Sequence, residues 1–114
     1  MTEQFGLSPG VIEKVCSVFA GCAEIKRAIL YGSRAKGNYK PGSDIDLTLV
    51  TVGELPKGFL QDVCLALDDL DLPYSFDISL LHRIENPNLI GHIQRVGVEF
   101  YNAETFRRGG RVGK

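Results

Sequence analysis

The sequence predicts a small α/β (α+β) domain, a β-sheet with its helices packed on one face, and three observations carry that prediction. Segments with apolar residues every three or four positions take turns along the chain with segments in which apolar and polar residues alternate. Two helical segments open on a cap-plus-proline pair, Ser8-Pro9 and Asn86-Pro87, which presets the first turn of a helix. Gly- and Pro-bearing stretches separate the extended segments, as turns do. The 114 residues, 44% hydrophobic and 24% charged, suit one globular domain, assigned to residues 1–104, with a basic, disordered tail over 105–114.

In chain order, Ser8 caps a helix over about residues 9–22 that buries Val11, Ile12, Val15, Val18, Phe19 and Cys22. Ile25 to Tyr31 is the first strand. It stops at Gly32-Ser33, where Ser33 is expected as N-cap of a short helix from Arg34. Gly37, Asn38, Pro41 and Gly42 then turn the chain back. Asp44 to Thr51 is the second strand, with Ile45, Leu47 and Leu49 directed to the core. A helix over Lys57–Leu70 buries Phe59, Val63, Leu67 and Leu70, leaves Asp62, Asp68, Asp69 and Asp71 as a solvated face, and is ended by Pro73. Residues 74–82 alternate: Tyr74, Phe76, Ile78 and Leu80 share one side, Ser75, Asp77 and Ser79 the other. A short amphipathic helix from Asn86-Pro87 to Gly97 carries His92 as a packing or surface residue, and Val98–Tyr101 is a last short strand.

The chemistry concentrates between Ala28 and Thr51. Gly32 has no Cβ to obstruct a close approach, Ser33 offers a hydroxyl, and a helix start aims free N–H groups at an anion, so the turn reads as a phosphate site. Arg34 and Lys36 add positive charge beside it. Asp44 and Asp46 fall on the same side of a strand, their Cα atoms roughly 6.5–7 Å apart. Two such carboxylates repel unless a cation lies between them, and hard oxygen donors suit Mg²⁺. Alone, Asp-x-Asp on a strand is ordinarily solvated charge. Its conjunction with a strand ending in Gly-Ser ten residues upstream points instead to phosphoryl or nucleotidyl transfer. The chain has no G-x-x-x-x-G-K-[ST] phosphate loop, and the segment from Asp44 lacks the Gly and terminal Glu of an EF-hand.

The pattern Gly32-Ser33-(ten residues)-Asp44-Ile45-Asp46 resembles the signature of the nucleotidyltransferase superfamily that includes DNA polymerase β. Over roughly residues 10–102 the chain looks like a minimal nucleotidyltransferase (MNT), the stand-alone domain found as antitoxin beside a HEPN-domain toxin. The resemblance implies a mixed sheet and a third carboxylate on a neighbouring strand. Asp77 answers to it, because an ionisable residue within an apolar strand is costly unless paired or metal-bound. It further implies two Mg²⁺ ions held by Asp44, Asp46 and Asp77, with ATP as substrate gripped at Gly32, Ser33, Arg34 and Lys36. The acceptor it implies is a tyrosine of a HEPN ribonuclease toxin, silenced by AMP transfer. The rival reading is a binding module that neutralises its toxin by occlusion; three intact carboxylates favour the enzyme.

A net charge of −1 gives no global drive towards nucleic acid, although Arg107, Arg108, Arg111 and Lys114 make the tail a local contact for RNA or an acidic partner. The N-terminus does not read as a signal peptide and no apolar run reaches membrane-spanning length, so a cytoplasmic location is expected. Cys16, Cys22 and Cys64, with no C-x-x-C, are expected as buried free thiols, and with only His82 and His92 a zinc site lacks ligands. Oligomerisation is compatible with the sequence.

Overall fold

The computed structural model describes residues 3–107. The chain runs α1 (Pro9–Ala20), β1 (Ile25–Tyr31), α2 (Ser33–Lys36), β2 (Ile45–Thr51), α3 (Phe59–Asp68), β3 (Phe76–Leu80), a 3₁₀ turn over Leu81–Arg83, α4 (Pro87–Val96), β4 (Val98–Asn102) and α5 (Ala103–Arg107). The sheet order is β3-β2-β1-β4. β1 pairs antiparallel with both β2 and β4, while β2 and β3 run parallel, so the sheet is mixed as expected.

Alternation places Ala28 and Leu30 of β1, Ile45, Leu47 and Leu49 of β2 and Leu80 of β3 on one face, all buried. α1 and α3 cover that face with Ile12, Val15 and Phe19, and with Phe59, Val63 and Leu67. β4 contributes two adjacent residues, Phe100 and Tyr101, to the same core. A plain strand could not do this. Ala28 pairs with Tyr101 but Ile29 pairs with Glu99, so Phe100 is the extra residue of a β-bulge, and the bulge turns both rings inward. The Tyr101 ring meets Phe19 edge-on at 5.7 Å.

α4 lies against the opposite face, over β1. Its Ile93 is buried yet lies outside the main core, Gly97 backs onto Ile29, and His92 meets Tyr31 ring to ring at 6.1 Å. The face that carries Asp46 is therefore half roofed by a helix.

Several boundaries differ from those expected, each for a local reason. Ser8 does cap α1, accepting from the Val11 N–H. At α2 it is Gly32 that occupies the cap, and Ser33 is the first helical residue with its hydroxyl free of any capping bond. α3 starts after Gly58, whose φ of +76° favours glycine, and ends at Asp68; Asp71, at φ +55°, turns the chain before Pro73 is reached. Asp62, Asp68, Asp69 and Asp71 are exposed, as a solvated face should be. Tyr74 and Asp44 sit just outside β3 and β2. Thr105–Arg107, assigned to the tail from sequence, belong to α5, and Phe106 packs on Tyr101 at 5.8 Å. Arg108, Arg111 and Lys114 lie outside the described residues.

Cys16, Cys22 and Cys64 are free thiols, and Cys16 alone among them is buried. Its S–H donates to the Phe100 carbonyl at 3.5 Å, and burial, with Glu13 adding to it, pushes the thiol up to about 12. Because the thiolate is the reactive species, iodoacetamide should modify Cys16 at least about 100-fold more slowly than an unfolded-state thiol at mildly alkaline pH. Peptide mapping of alkylation with and without denaturant checks this.

Candidate active site

The face turned away from the core carries a polar row across three strands. Tyr31 of β1 pairs with Asp46 of β2, and Asp46 pairs with Asp77 of β3. Neighbouring strands lie about 4.8 Å apart, so the two carboxylates stand side by side, Asp46 partly buried and Asp77 exposed. The next row holds Ile29, Thr48 and Ser79, with the Ser79 hydroxyl donating to Thr48 Oγ1 at 2.9 Å. Asp44, exposed, precedes the first residue of β2, and the Ile45 N–H ties that point to the Ser75 carbonyl at 2.9 Å.

Electrostatics show that the three carboxylates share one neighbourhood. Burial holds the Asp46 carboxyl above its ordinary range, the charges of Asp77 and Asp44 push it further up, and His92 pulls the other way. The Tyr31 phenol is raised by burial, eased by a hydrogen bond with Ser79, and raised again by Asp77 and Asp46. Among the described residues none of the three carboxylates has an ion-pair partner; Arg27–Glu99 is a separate pair at 3.6 Å. Like charges gathered without a counter-charge are the donor chemistry of a divalent cation site.

Among the described residues, no three acidic, His or Cys side chains close into a finished metal cage. For Mg²⁺ that is ordinary, since it commonly takes one or two carboxylates and completes its shell with water and substrate phosphate. The residues present therefore fit the ion. Asp46 and Asp77 stand on adjacent paired strands, and Asp44 lies just outside them.

The Gly-Ser turn abuts this row. Gly32 has φ +78° and ψ −158°, a region essentially reserved for glycine, and a Cβ there would run into the Asp46 carboxylate. The close approach that glycine permits here is thus to the Asp46 carboxylate. Ser33, partly buried, opens α2, where the first N–H groups have no intrahelical acceptor. Lys36 is exposed at the far end of α2.

Arg34 departs from its expected place among the phosphate ligands. Its side chain is 3% exposed, and its guanidinium donates to two backbone carbonyls, from Nη1 to Phe5 at 2.8 Å and from Nε and Nη2 to Ser43 at 3.1 and 2.9 Å. Tyr39 and Tyr74 flank it, ring centroids 5.4 and 5.2 Å from Cζ. Bound in this way the group faces inward, with three of its five N–H donors engaged by backbone carbonyls.

Sequence reasoning overlooked Tyr31 and His92 as members of this neighbourhood. The parity of β1 relative to Gly32 could have placed Tyr31; His92 required the packing of α4.

The chain was compared with known proteins. A family model described as Polymerase beta, Nucleotidyltransferase matches residues 13–105. No curated protein sequence matches significantly. Among solved structures, a chain of a toxin–antitoxin complex with AMP-PNP superposes with a TM-score of 0.62 at 18% identity, covering 90% of this chain and 79% of that one. A chain of a complex of tri-AMPylated Shewanella oneidensis HEPN toxin with MNT antitoxin gives 0.60 at 15% identity, covering 89% and 78%. At such identities the likeness is one of fold. A family match over most of the chain, on a fold shared with MNT–HEPN complexes and with acidic residues where its strands meet, makes this chain a member of the polymerase β nucleotidyltransferase family.

Proposed function

We propose that this protein is a Mg²⁺-dependent nucleotidyltransferase that moves AMP from ATP onto a tyrosine hydroxyl of a partner HEPN-domain toxin, and so acts as an antitoxin. The observation that carries the reading is the row of Asp46 and Asp77 on adjacent parallel strands, with Asp44 beside it and the Gly32-Ser33 turn abutting it. The partner and the modification are supported by the fold shared with complexes of HEPN toxin and MNT antitoxin, one of them tri-AMPylated.

Asp44, Asp46 and Asp77 would hold Mg²⁺. Bound there, the ion neutralises phosphate charge and makes an acceptor hydroxyl easier to deprotonate. The protein's own part is placement. Ser33 Oγ and the backbone N–H groups opening α2 orient the triphosphate so that pyrophosphate departs away from the acceptor. Lys36 adds charge at longer range. Asp77, the most open of the pair, is positioned to take the acceptor's proton. α4, with His92 against Tyr31, walls one flank of the row. No covalent protein nucleophile is needed.

Incubating the protein with Mg²⁺ and each α-labelled NTP, with and without the neighbouring gene product, tests this. Label on the partner from ATP, reduced at least about 10-fold in Ser33→Ala, is the expected result. A tight complex with no label from any NTP would instead establish neutralisation by occlusion.

A further inference from the structure

We propose that Arg34 is a positioning residue for the reaction, setting Asp44 through the backbone carbonyl of Ser43 without touching the nucleotide; this rests on the carboxylates being the nucleotidyl-transfer site. Backbone bonds on either side, from the Ser43 N–H to the Lys40 carbonyl and from the Ile45 N–H to the Ser75 carbonyl, both 2.9 Å, share with Arg34 in holding Asp44. It is exposed, lies outside β2, and ends a loop containing Gly37, Pro41 and Gly42. Arg34 grips the carbonyl immediately before it with two donors, while a third fixes Phe5 in the N-terminal segment. The Tyr39 ring and the ring of Tyr74, which leads into β3 and Asp77, both pack against the guanidinium. Gly6, at φ +73°, brings backbone flat against this stack, where a Cβ would sit 2.5 Å from the Tyr39 ring and 2.9 Å from Arg34 Nη1. One planar fork therefore joins the N-terminal segment, α2, the start of β2 and the approach to β3. Lysine, a single point of donation, cannot copy two in-plane bonds to one carbonyl together with a third to another.

Binding of Mn²⁺, measured by calorimetry in the presence of a non-hydrolysable ATP analogue, reads Asp44 without turnover. Arg34→Lys should weaken Mn²⁺ about 10-fold, the usual effect of losing support behind a metal ligand. In Asp44→Asn the further Arg34→Lys change should cost nothing more, because its route is already cut. In transfer assays Arg34→Lys should lower kcat about 10-fold with the KM for ATP within about threefold of wild type. Additive Mn²⁺ losses, or an Arg34→Lys protein with wild-type Mn²⁺ affinity, would overturn the proposal. So would a raised KM at unchanged kcat, which marks a phosphate grip. If Arg34→Lys fails to fold, Tyr39→Leu removes only the half-exposed ring and should weaken Mn²⁺ about twofold to fivefold, again not additively with Asp44→Asn. A wild-type protein that transfers no label yet shows this coupling would sink the transferase reading and leave the Arg34 assignment standing.

Discussion

Asp46→Asn is expected to reduce nucleotidyl transfer by at least about 10³-fold while making the metal-free protein slightly more stable, because charge at the centre of the row serves the ligand and opposes the fold. The substitution keeps volume and leaves residue 46 paired with Tyr31 and with Asp77 in the sheet. It removes a carboxylate whose ionised form is disfavoured by burial and by the charges of Asp77 and Asp44. A carboxyl raised in the folded state binds more protons folded than unfolded across the interval between its two pKa values. Stability therefore falls as pH rises through that interval, and the cost is fully present at neutral pH. Solvent screening of a partly exposed group keeps this cost small. Thermal melts at pH 2.5 and pH 7 should show the Asn variant's advantage at pH 7 and not at pH 2.5, below the ordinary carboxylate range. Adding Mg²⁺ should raise the wild-type Tm and leave the variant's nearly unmoved. A variant that melts lower than wild type at pH 7 without metal would mean the carboxylate is paired in a way the structure does not show.

Gly32→Ala should damage both the fold and the reaction. Its φ and ψ cost a side-chain-bearing residue about 1–3 kcal/mol, and the added methyl competes with the Asp46 carboxylate for the same space. Relief must come from moving Asp46 or the turn that leads into Ser33. A shift of about 1 Å in either is worth about 100-fold in transfer. Gly37→Ala is the matched control: φ there is +87°, but no atom lies within 4 Å of the new methyl. It should lose about 1 kcal/mol of stability and keep most of its activity. Chemical denaturation beside transfer assays on both variants separates backbone strain from displacement of Asp46. Equal activity loss at both positions would show that the turn matters only through stability.

The local signals read well because they belong to short-range physics. Period and capping located all four strands and the main helices within a few residues, since Ser8-Pro9, Asn86-Pro87 and the alternation of β2 and β3 depend only on neighbours in sequence. Where boundaries slipped, a single backbone angle decided, as at Asp71 and Gly58. Alternation also put Asp46 and Asp77 on the side away from the core before their strands could be placed next to each other.

By itself, then, the sequence determined the element types, the apolar faces and a set of acidic and glycine residues at spacings suited to nucleotidyl transfer. Tertiary structure alone decided that β2 and β3 are parallel neighbours with Asp46 opposite Asp77, that α4 brings His92 over Tyr31, and that Phe100 occupies a bulge. It also turned Arg34 from the expected phosphate site into the interior, towards the Phe5 and Ser43 carbonyls. The reason is that a charged side chain beside Gly-Ser has two outlets for its donors, solvent-borne anion or buried backbone. Which one it takes depends on whether distant segments deliver carbonyls and aromatic faces to that spot, and residues 5, 39, 43 and 74 meet there only once the chain has folded.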